Sequence, residues 1–391
     1  MRSSDSLPFF RALVLVVLVC LARAGSAVAQ PHAAQLMPRA TQSLLIDIAR
    51  AGERLVAVGE RGHVLYSDDS GQRWVQAPVP VSVMLTAVWF VDARHGWAVG
   101  HDGMVIATDD GGASWRLQRD GLAEQEAVDR AALEQAQREL AALEESGADA
   151  AALEEARLAL EEAEDSAGQP AYASPLMDVW FADAQNGIAV GAYGSYLHTS
   201  DGGRSWIHDK ARIDNPDDLH YYAIASGGAG RLLVVGESGS MFRSRDGGAS
   251  WEALSHAYEG TLFGALAFTP GDTVCAFGLQ GTVLVSPDFG DTWQRLDSPT
   301  ESVLAGGTIV QGGEAVIVGN VGTILGARVA AGELEDRSRA SLRDNLSGVI
   351  QAPDGSLVVI GQGGAVRVPP AEAADTHVVS GEAGAPAAGG R

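Results

Sequence analysis

Cysteine is nearly absent from this sequence of 391 residues. Cys20 and Cys275 are the two cysteines, and Cys20 lies in an N-terminal segment that we expect to be removed. The mature chain would then keep a single thiol, so it could form no intramolecular disulfide. We therefore expect the burial of a large apolar core, rather than covalent crosslinks, to stabilise the fold.

Positive charge is also scarce. The 27 Lys and Arg residues face 50 Asp and Glu residues, the formal net charge is -23, and Lys210 is the single lysine. Recognition of a phosphate backbone requires clustered Lys and Arg side chains. The composition therefore argues against a nucleic acid as a partner.

Long apolar runs are missing beyond the N-terminus. Arg2 and Arg11 flank a run of apolar residues at 12–22, and a small-x-small pattern ends at Ala29. This layout predicts a signal peptide over residues 1–29, cleaved near Ala29, and a periplasmic mature protein. An uncleaved anchor is the alternative, but the run is too short to span a bilayer. Lipidation of Cys20 is a further alternative that the residue before it disfavours.

One eight-residue pattern recurs five times, and we call each copy an Asp turn. It consists of a small hydroxyl residue, any residue, Asp, any residue, Gly, any two residues and Trp. Its aspartates and tryptophans are Asp69 and Trp74, Asp110 and Trp115, Asp201 and Trp206, Asp246 and Trp251, and Asp288 and Trp293. A short acceptor side chain binds backbone N–H groups of its own turn, and the Trp ring packs on the sheet. We therefore expect a structural role for these residues, because identical turns cannot all line one active site.

A second motif, Gly-x-x-Gly, sets the period of the chain. Its leading glycines are residues 59, 100, 191, 236, 278, 319 and 361, which are 41 to 45 residues apart except for one interval of 91. A period near forty with several short strands per unit is typical of a β-propeller. The fold class that we predict is all-β, a seven-bladed β-propeller with one insertion between blades 2 and 3.

That insertion, residues 121–168, is dense in Ala, Glu and Leu, which are strong helix formers. Two apolar stripes at helical spacing predict an antiparallel helical hairpin with Gly147 and Asp149 at its turn; the stripes are Leu133, Ala136, Leu140 and Leu143, and Leu153, Ala156, Leu160 and Ala163. Fourteen acidic residues and three arginines give the hairpin a charge of -11. Either the hairpin is a solvated decoration or it is a docking arm for another protein.

The predicted domain organisation follows from these patterns. It comprises a signal peptide at 1–29, blades 1 and 2 at 30–120, the acidic hairpin at 121–168, blades 3 to 7 at 169–368 and a disordered tail at 369–391. The last blade lacks a clear fourth strand. We expect His32–Leu36 to supply it, with Thr376–Ser380 as the alternative.

The repeats resemble the Asp boxes, or BNR repeats, of bacterial neuraminidases. Together with the Val-Gly-x-x-Gly segments and the Phe-x-Asp-x-x-x-Gly-x-Ala-Val-Gly strands that begin at Phe90 and Phe181, they resemble the photosystem II stability and assembly factor family of propellers. The resemblance covers about residues 42–368, apart from the helical insertion. It implies a non-catalytic periplasmic or lumenal factor that holds membrane-protein subunits during assembly. For relatives in non-photosynthetic bacteria, the resemblance further implies a frequent association with exporters of the resistance-nodulation-division type.

An enzyme of the sialidase type is the alternative that the Asp turns raise. Such an enzyme needs three converging arginines, a Tyr–Glu pair and an acid. The Arg-Ile-Pro motif is absent, and Tyr258 and Glu259 are adjacent, which points their side chains apart on a strand. No Ser/His/Asp arrangement or phosphate loop is present. We therefore predict no catalytic residues, no cofactor and no small-molecule substrate.

One acidic cluster raises the question of a metal. Asp214, Asp217 and Asp218 crowd a single loop, but they lack the spacing of a known calcium loop. We interpret them as residues of a solvated turn and predict no metal site.

The predicted binding face is the end of the propeller opposite the Asp turns. The Gly-x-x-Gly turns, the blade-to-blade links and the hairpin share that end, and the turn residues differ between blades as a binding face would. The candidate binding residues are the turn residues that we expect near the propeller axis, namely Glu60, Arg61, His101, Asp102, Tyr193, Glu237, Gln280, Asn320 and Gln362. We predict a monomeric assembly or accessory factor for an inner-membrane complex, such as a transporter. A glycan-binding or glycan-hydrolysing propeller is the alternative.

Overall fold

A computed structural model describes residues 33–256 and 258–369. The predicted signal peptide lies outside these residues, as does the predicted tail beyond residue 369. The described chain forms seven antiparallel sheets of three or four strands and two α-helices, with the helices between the second and third sheets along the chain. We number the sheets in chain order.

The first four sheets each have four strands. Sheet 1 contains β1 (Leu45–Ala51), β2 (Arg54–Gly59), β3 (Val64–Ser67) and β4 (Val75–Gln76); sheet 2 contains β5 (Leu85–Phe90), β6 (Gly96–Gly100), β7 (Val105–Thr108) and β8 (Arg116–Arg119). Sheet 3 contains β9 (Leu176–Phe181), β10 (Gly187–Gly191), β11 (Tyr196–Thr199) and β12 (Ile207–His208); sheet 4 contains β13 (Tyr221–Gly228), β14 (Arg231–Gly236), β15 (Met241–Ser244) and β16 (Glu252–Ala253).

The remaining three sheets follow the same order. Sheet 5 contains β17 (Leu262–Ala267), β18 (Val274–Gly278), β19 (Val283–Ser286) and β20 (Gln294–Arg295), and sheet 6 contains β21 (Leu304–Ile309), β22 (Ala315–Gly319), β23 (Ile324–Arg328) and β24 (Glu333–Asp336). Sheet 7 contains β25 (Leu346–Gln351), β26 (Leu357–Gly361) and β27 (Gly364–Val368). Consecutive strands pair within every sheet, as a propeller requires.

The apolar core lies between adjacent sheets. The second strands are buried on both faces, so they read as continuous apolar runs such as Val56 to Val58. Val56 packs with Leu85 and Ile106 of sheet 2, and equivalent clusters lie between each later pair of sheets. A last cluster joins sheet 7 to sheet 1. The described sheets therefore form a closed ring.

The first strands lie innermost and surround a central channel of about 420 Å³. Each has a register shift between its first and third residues, as between Leu45 and Asp47. A bulge of this kind bends the strand and redirects a side chain. The second residues, which include Tyr222 and Phe263, line the channel.

Closure of the ring differs from our expectation. Residues 33–36 form no strand, and sheet 7 has three strands within the described residues. Ala34 instead donates its N–H to the carbonyl of Val79, beside the outer strand of sheet 1. Direct packing of sheet 7 on β1 closes the ring, where the Ser347 hydroxyl donates to the carbonyl of Leu45 at 2.7 Å. His32 and Thr376–Ser380 lie outside the described residues.

The insertion folds as two antiparallel helices, α1 (Gly121–Ser146) and α2 (Ala150–Gly168). Gly147 ends α1 in the left-handed conformation, and the Asp149 carboxylate accepts N–H groups of the first turn of α2. The predicted stripes are half-buried, and Ala136 is buried. In the described part of the chain, no helix is both long and apolar enough to cross a membrane.

Candidate binding face

The five Asp turns satisfy their polar groups within themselves. In the turn of sheet 4, Asp246 accepts the Ser250 N–H at 2.9 Å, the Ser250 hydroxyl at 2.6 Å and the Ser244 hydroxyl at 2.8 Å. The other four turns repeat these bonds, except that Arg73 replaces the serine or threonine hydroxyl in sheet 1. Each carboxylate is therefore used by its own turn, and each turn lies in a different sheet.

These local bonds lower the pKa of the turn aspartates. Bonds from Arg73 lower the pKa of Asp69 to about 2, and bonds from the neighbouring hydroxyl and backbone lower those of Asp201, Asp246 and Asp288 to about 2. The carboxylates thus stay ionised at neutral pH. A general acid needs a proton near pH 7, so these groups are unsuited to that role.

The Asp-turn tryptophans pack between sheets. Trp115 is buried in the core shared by sheets 1 and 2, and its indole N–H donates to the carbonyl of Gly112 at 3.1 Å. The other four rings are half-buried, each in the cluster between its own sheet and the preceding one. Their aromatic area contributes to the adhesion of neighbouring sheets.

We predict a small stability loss when Asp246 is replaced by alanine. The turn is open to solvent, so water replaces the lost acceptor and the free energy of unfolding falls by about 1 kcal/mol or less at pH 7. The pKa of Asp246 is below its unfolded value, so its contribution is present above pH 4 and disappears as the pH falls through about 2. Urea denaturation of both proteins at pH 7 and pH 2.5 tests this; a loss of equal size at both pH values would contradict it.

The Gly-x-x-Gly turns lie at the opposite end of the sheets. The first x residue of every turn donates its N–H to the residue before the first strand of the same sheet, as Glu60 does to Leu44 at 3.0 Å. The chain that leads to the next sheet also passes this end. A Cβ on Gly62 would overlap the carbonyl oxygen of Val81, which belongs to that link. Because glycine has no Cβ, the turn and the link to the next sheet can pack in direct contact at this end.

The structure places the nine predicted binding residues around this face. They lie one strand further from the channel than we expected, because the turns join second and third strands. Exposed side chains belong to Arg61, His101, Tyr193, Gln280 and Gln362, whereas Glu60, Asp102, Glu237 and Asn320 are half-buried. The carboxylates of Glu60 and Glu237 accept the N–H groups of Leu44 and His220, respectively. These two acids therefore also fix the segments that enter the first strands of sheets 1 and 4.

Two acids in the channel wall were missed by the sequence analysis. Asp47 accepts the N–H of Val88, and Asp178 accepts the N–H of Ile224 at 2.7 Å, so each joins two neighbouring first strands. Burial raises the pKa of Asp47, and burial together with the charge of Asp47 raises the pKa of Asp178 to about 8. The sequence feature that could have pointed to them is an acidic residue within an otherwise apolar strand.

The raised pKa of Asp178 predicts a loss of stability at alkaline pH. The folded state holds this proton more tightly than the unfolded state, so the contribution present below pH 4 is lost as the pH rises through about 8. We expect a lower urea midpoint at pH 9 than at pH 5, and a smaller difference in Asp178→Asn. The exposed Asp183, whose pKa is lowered, supplies the control. Equal pH dependence in Asp178→Asn and Asp183→Asn would rule this out.

A large cleft lies at the Asp-turn end, and no local pattern in the sequence indicated it. It has a volume of about 670 Å³ and lies among sheets 2, 3 and 4, with Trp89, Trp180 and Tyr196 in its wall. The indole N–H of Trp89 and the hydroxyl of Tyr196 already donate to backbone carbonyls. Of these three rings, Trp89 alone is partly exposed, because Trp180 and Tyr196 are buried.

The predicted acidic loop contains an ion pair. Asp218 binds the ammonium of Lys210 at 2.7 Å. Within residues 33–256 and 258–369, no three His, Cys, Asp or Glu side chains are placed to hold a metal ion.

The class of protein follows from this geometry, because a ring of antiparallel sheets around a channel is a β-propeller. Solved propellers share the fold. A structure titled "YCF48 bound to D1 peptide" superposes with a TM-score of 0.59 at 17% identity, over 86% of this chain and 96% of that one. YCF48 from Cyanidioschyzon merolae gives 0.59 at 13% identity, over 87% and 99% of the two chains. The WD40 propeller of Doa1 gives 0.58 at 12% identity, over 85% and 94%.

Sequence comparison confirms the resemblance to one propeller family. The family model described as "Photosynthesis system II assembly factor YCF48" matches residues 67–138 and 169–259, which is less than half of the chain. The photosystem II assembly lipoprotein Ycf48 of Synechococcus sp. (strain CC9902) is 26% identical over 166 residues, or 42% of this chain. That match spans 35% of the relative's length. The protein is therefore similar to the photosystem II assembly factor propellers, and residues 139–168 of the hairpin fall outside the match.

Proposed function

We propose that the protein is an exported, non-catalytic propeller that binds a subunit of an inner-membrane protein complex during its assembly. The separation of the two ends of the ring carries this proposal. At one end the carboxylates of the Asp turns are used by their own turns, whereas the other end gathers links, turns of varied sequence and the root of the hairpin. The seven sheets are then the seven blades of one propeller, with the hairpin between the second and third.

The relatives support a protein partner of this kind. One is named as an assembly lipoprotein of photosystem II, and a structural neighbour was solved with a D1 peptide. By analogy we place this protein outside the cytoplasm, with its mature part in the periplasm and its client in the inner membrane. An exporter of the resistance-nodulation-division type is a candidate client, because the family resemblance implies an association with such exporters.

Within this proposal the hairpin is a docking arm. At 1.5 Å per residue, the 26 residues of α1 extend about 39 Å. Near its start, Glu124 of α1 pairs with Arg119 of β8 at 2.7 Å, which anchors the arm to sheet 2. Val128 and Leu158 are exposed on the helices, among the acidic residues of the arm. An acidic arm with exposed apolar side chains is suited to a partner surface with basic residues.

Site-specific photo-crosslinking in intact membranes tests the proposal. A crosslinking amino acid is placed at the exposed turn-face residues Arg61, Gln280 and Gln362, and at exposed residues of the Asp-turn end for comparison, namely Gln72, Asp109 and Ser200. We expect integral inner-membrane proteins to be captured from the first set and not from the second. Equal capture from both ends, or capture from the Asp-turn end alone, would count against the proposal.

Removal of the arm should weaken capture without unfolding the ring. Deleting residues 122–167 removes the helices but leaves β8 and β9 to be joined by the remaining link. We expect an unchanged melting temperature and a lower yield of the same crosslinked proteins. A matched variant, with Glu154, Glu155, Glu161 and Glu162 changed to Gln, keeps the helices and removes four charges. An undiminished yield in both variants would show that the hairpin is only a decoration.

The aromatic cleft favours glycan binding as a second candidate function. Trp89 is half-buried in the wall of this cleft, and an indole face there is suited to stacking against the apolar face of a sugar ring. Calorimetry with sialyllactose and with a β-glucan oligosaccharide tests this candidate. Glycan binding that is lost in Trp89→Ala would support this candidate function. Absence of a heat of binding with both ligands would exclude sialylated glycans and β-glucans as ligands of the cleft.

A further inference from the structure

Five rings form a continuous series across the turn face, and we call this series the aromatic track. Its members are Tyr172, Tyr193, His220, Tyr222 and Phe263. Successive ring centroids are 6.4, 4.7, 6.3 and 5.1 Å apart, with edge-on or tilted geometry. Tyr172 and Tyr193 are 59% and 50% exposed, whereas Tyr222 and Phe263 line the channel. The track therefore runs from the outer rim to the channel mouth.

The fold brings these rings together from separate segments. Tyr172 lies between α2 and β9, and Tyr193 occupies the left-handed position of the turn in sheet 3, with φ 55°. Tyr222 and Phe263 are the second residues of β13 and β17, where the register shifts. Rings used only as packing would be buried. Half-exposed rings arranged in a row are the surface that a ligand contacts.

Negative charge accompanies the track. The Glu237 carboxylate accepts the N–H of His220 at 3.2 Å, and its charge adds to burial in raising the pKa of Tyr222. The pKa of Tyr172 is raised mainly by burial, and further by the neighbouring Tyr193 and by the charge of Asp102. A Cβ built on Gly121 would overlap both the carbonyl of Asp102 and the side chain of Ala173, so Asp102 lies beside the segment that carries Tyr172.

These two acids have no cation of their own among the described residues. Neither Asp102 nor Glu237 takes part in an ion pair there, and the nearby Lys210 is already paired with Asp218. Ring faces carry negative potential, so rings beside unpaired carboxylates attract a cation. Arginine is the best match, because its planar and weakly hydrated guanidinium stacks on aromatic rings and binds carboxylates at its edge.

We infer that the aromatic track binds an extended peptide segment through an arginine side chain held at Tyr172 and Tyr193, with apolar side chains of the same segment against Tyr222 and Phe263. This inference rests on the proposed function, since it names the chemistry of the client segment. The acidic arm beside the track attracts the same basic segment. A negatively charged or purely apolar segment lacks this complementarity.

Fluorescence anisotropy with labelled dodecapeptides tests the inference. The probe alternates Arg and Leu with Gly and Ser, and its two controls carry citrulline or Glu in place of Arg. We expect the Arg peptide to bind roughly tenfold more tightly than the citrulline peptide, and the Glu peptide more weakly still. Tyr193→Ala should weaken the binding of the Arg peptide roughly fivefold, while Tyr193→Phe keeps it. Val321→Ala is the matched control, because Val321 is exposed at the same left-handed position in sheet 6.

The outcomes separate this inference from the proposed function. Equal binding of the Arg and citrulline peptides, or unchanged binding in Tyr193→Ala, would overturn the inference. Membrane crosslinks from Arg61, Gln280 and Gln362 would then still uphold the proposed function. Conversely, Arg-selective binding that depends on Tyr193, without any turn-face crosslinks in membranes, would uphold the chemistry of the track and remove the assembly role.

Discussion

Gly62→Ala is expected to prevent stable folding of the ring, with a loss of more than about 3 kcal/mol in the free energy of unfolding. Gly62 has φ +70°, and an added Cβ would overlap the carbonyl of Val81. Backbone cannot rotate away as a flexible side chain can. Relief would require the link to move, and with it Leu85, which is fully buried in the core between sheets 1 and 2. Circular dichroism in urea gives the midpoint.

Gly147→Ala supplies the control, because it separates the overlap from the backbone conformation. Gly147 has φ +66°, but nothing lies within 4 Å of a Cβ built there. We expect a cost of about 1 kcal/mol, confined to the end of α1. If both alanines lowered the midpoint equally, the close approach of turn and link at Gly62 would not be what requires glycine.

Trp115→Ala is expected to cost about 3–5 kcal/mol, since it removes a large buried ring. The ring is 8% exposed, lies in the core between sheets 1 and 2, and meets Phe90 edge-on with centroids 6.2 Å apart. The surrounding strands are held by their ladders and cannot collapse into the space. Denaturation followed by circular dichroism at 25 °C measures the loss.

A second substitution shows whether the effect of Trp115→Ala is specific to the core. Leu158 on α2 is 59% exposed, so Leu158→Ala should change the free energy of unfolding by less than about 0.5 kcal/mol. Trp115→Phe keeps an aromatic ring and should recover part of the loss. A cost for Trp115→Ala no larger than that for Leu158→Ala would mean that the Asp-turn tryptophans do not hold adjacent sheets together.

The features that the sequence predicted are those encoded within a few neighbouring residues. The Asp-turn bonds join residues two and four apart, as between Ser244, Asp246 and Ser250. The caps at Gly147 and Asp149 are equally local, and they ended and began the helices as predicted. Repetition of such local units at a fixed period was enough to indicate a propeller.

The features that the sequence did not predict depend on contacts between distant segments. Asp47 and Asp178 both line the channel because the first strands of sheets 1 and 3, which carry them, are bulged and face it. The aromatic track likewise joins a residue after the hairpin to residues of three sheets, with no common spacing in the chain. Among its members, only Tyr193 was a candidate beforehand. Closure of the ring without a strand from residues 33–36 was beyond local patterns for the same reason.

The central claim is that the Asp turns stabilise the ring while the opposite face contacts the client. The most direct test measures two quantities on each of two double variants. These are the melting temperature and the yield of proteins captured by a crosslinking amino acid at Gln362. We predict that Asp69→Asn with Asp246→Asn lowers the melting temperature and leaves the crosslinked proteins unchanged. Tyr193→Lys with Gln280→Lys should keep the melting temperature and lose the crosslinks, because positive charge added at two exposed turn positions repels a basic client. Loss of the crosslinks in the folded Asp-turn variant, with the turn-face variant unaffected, would contradict the account.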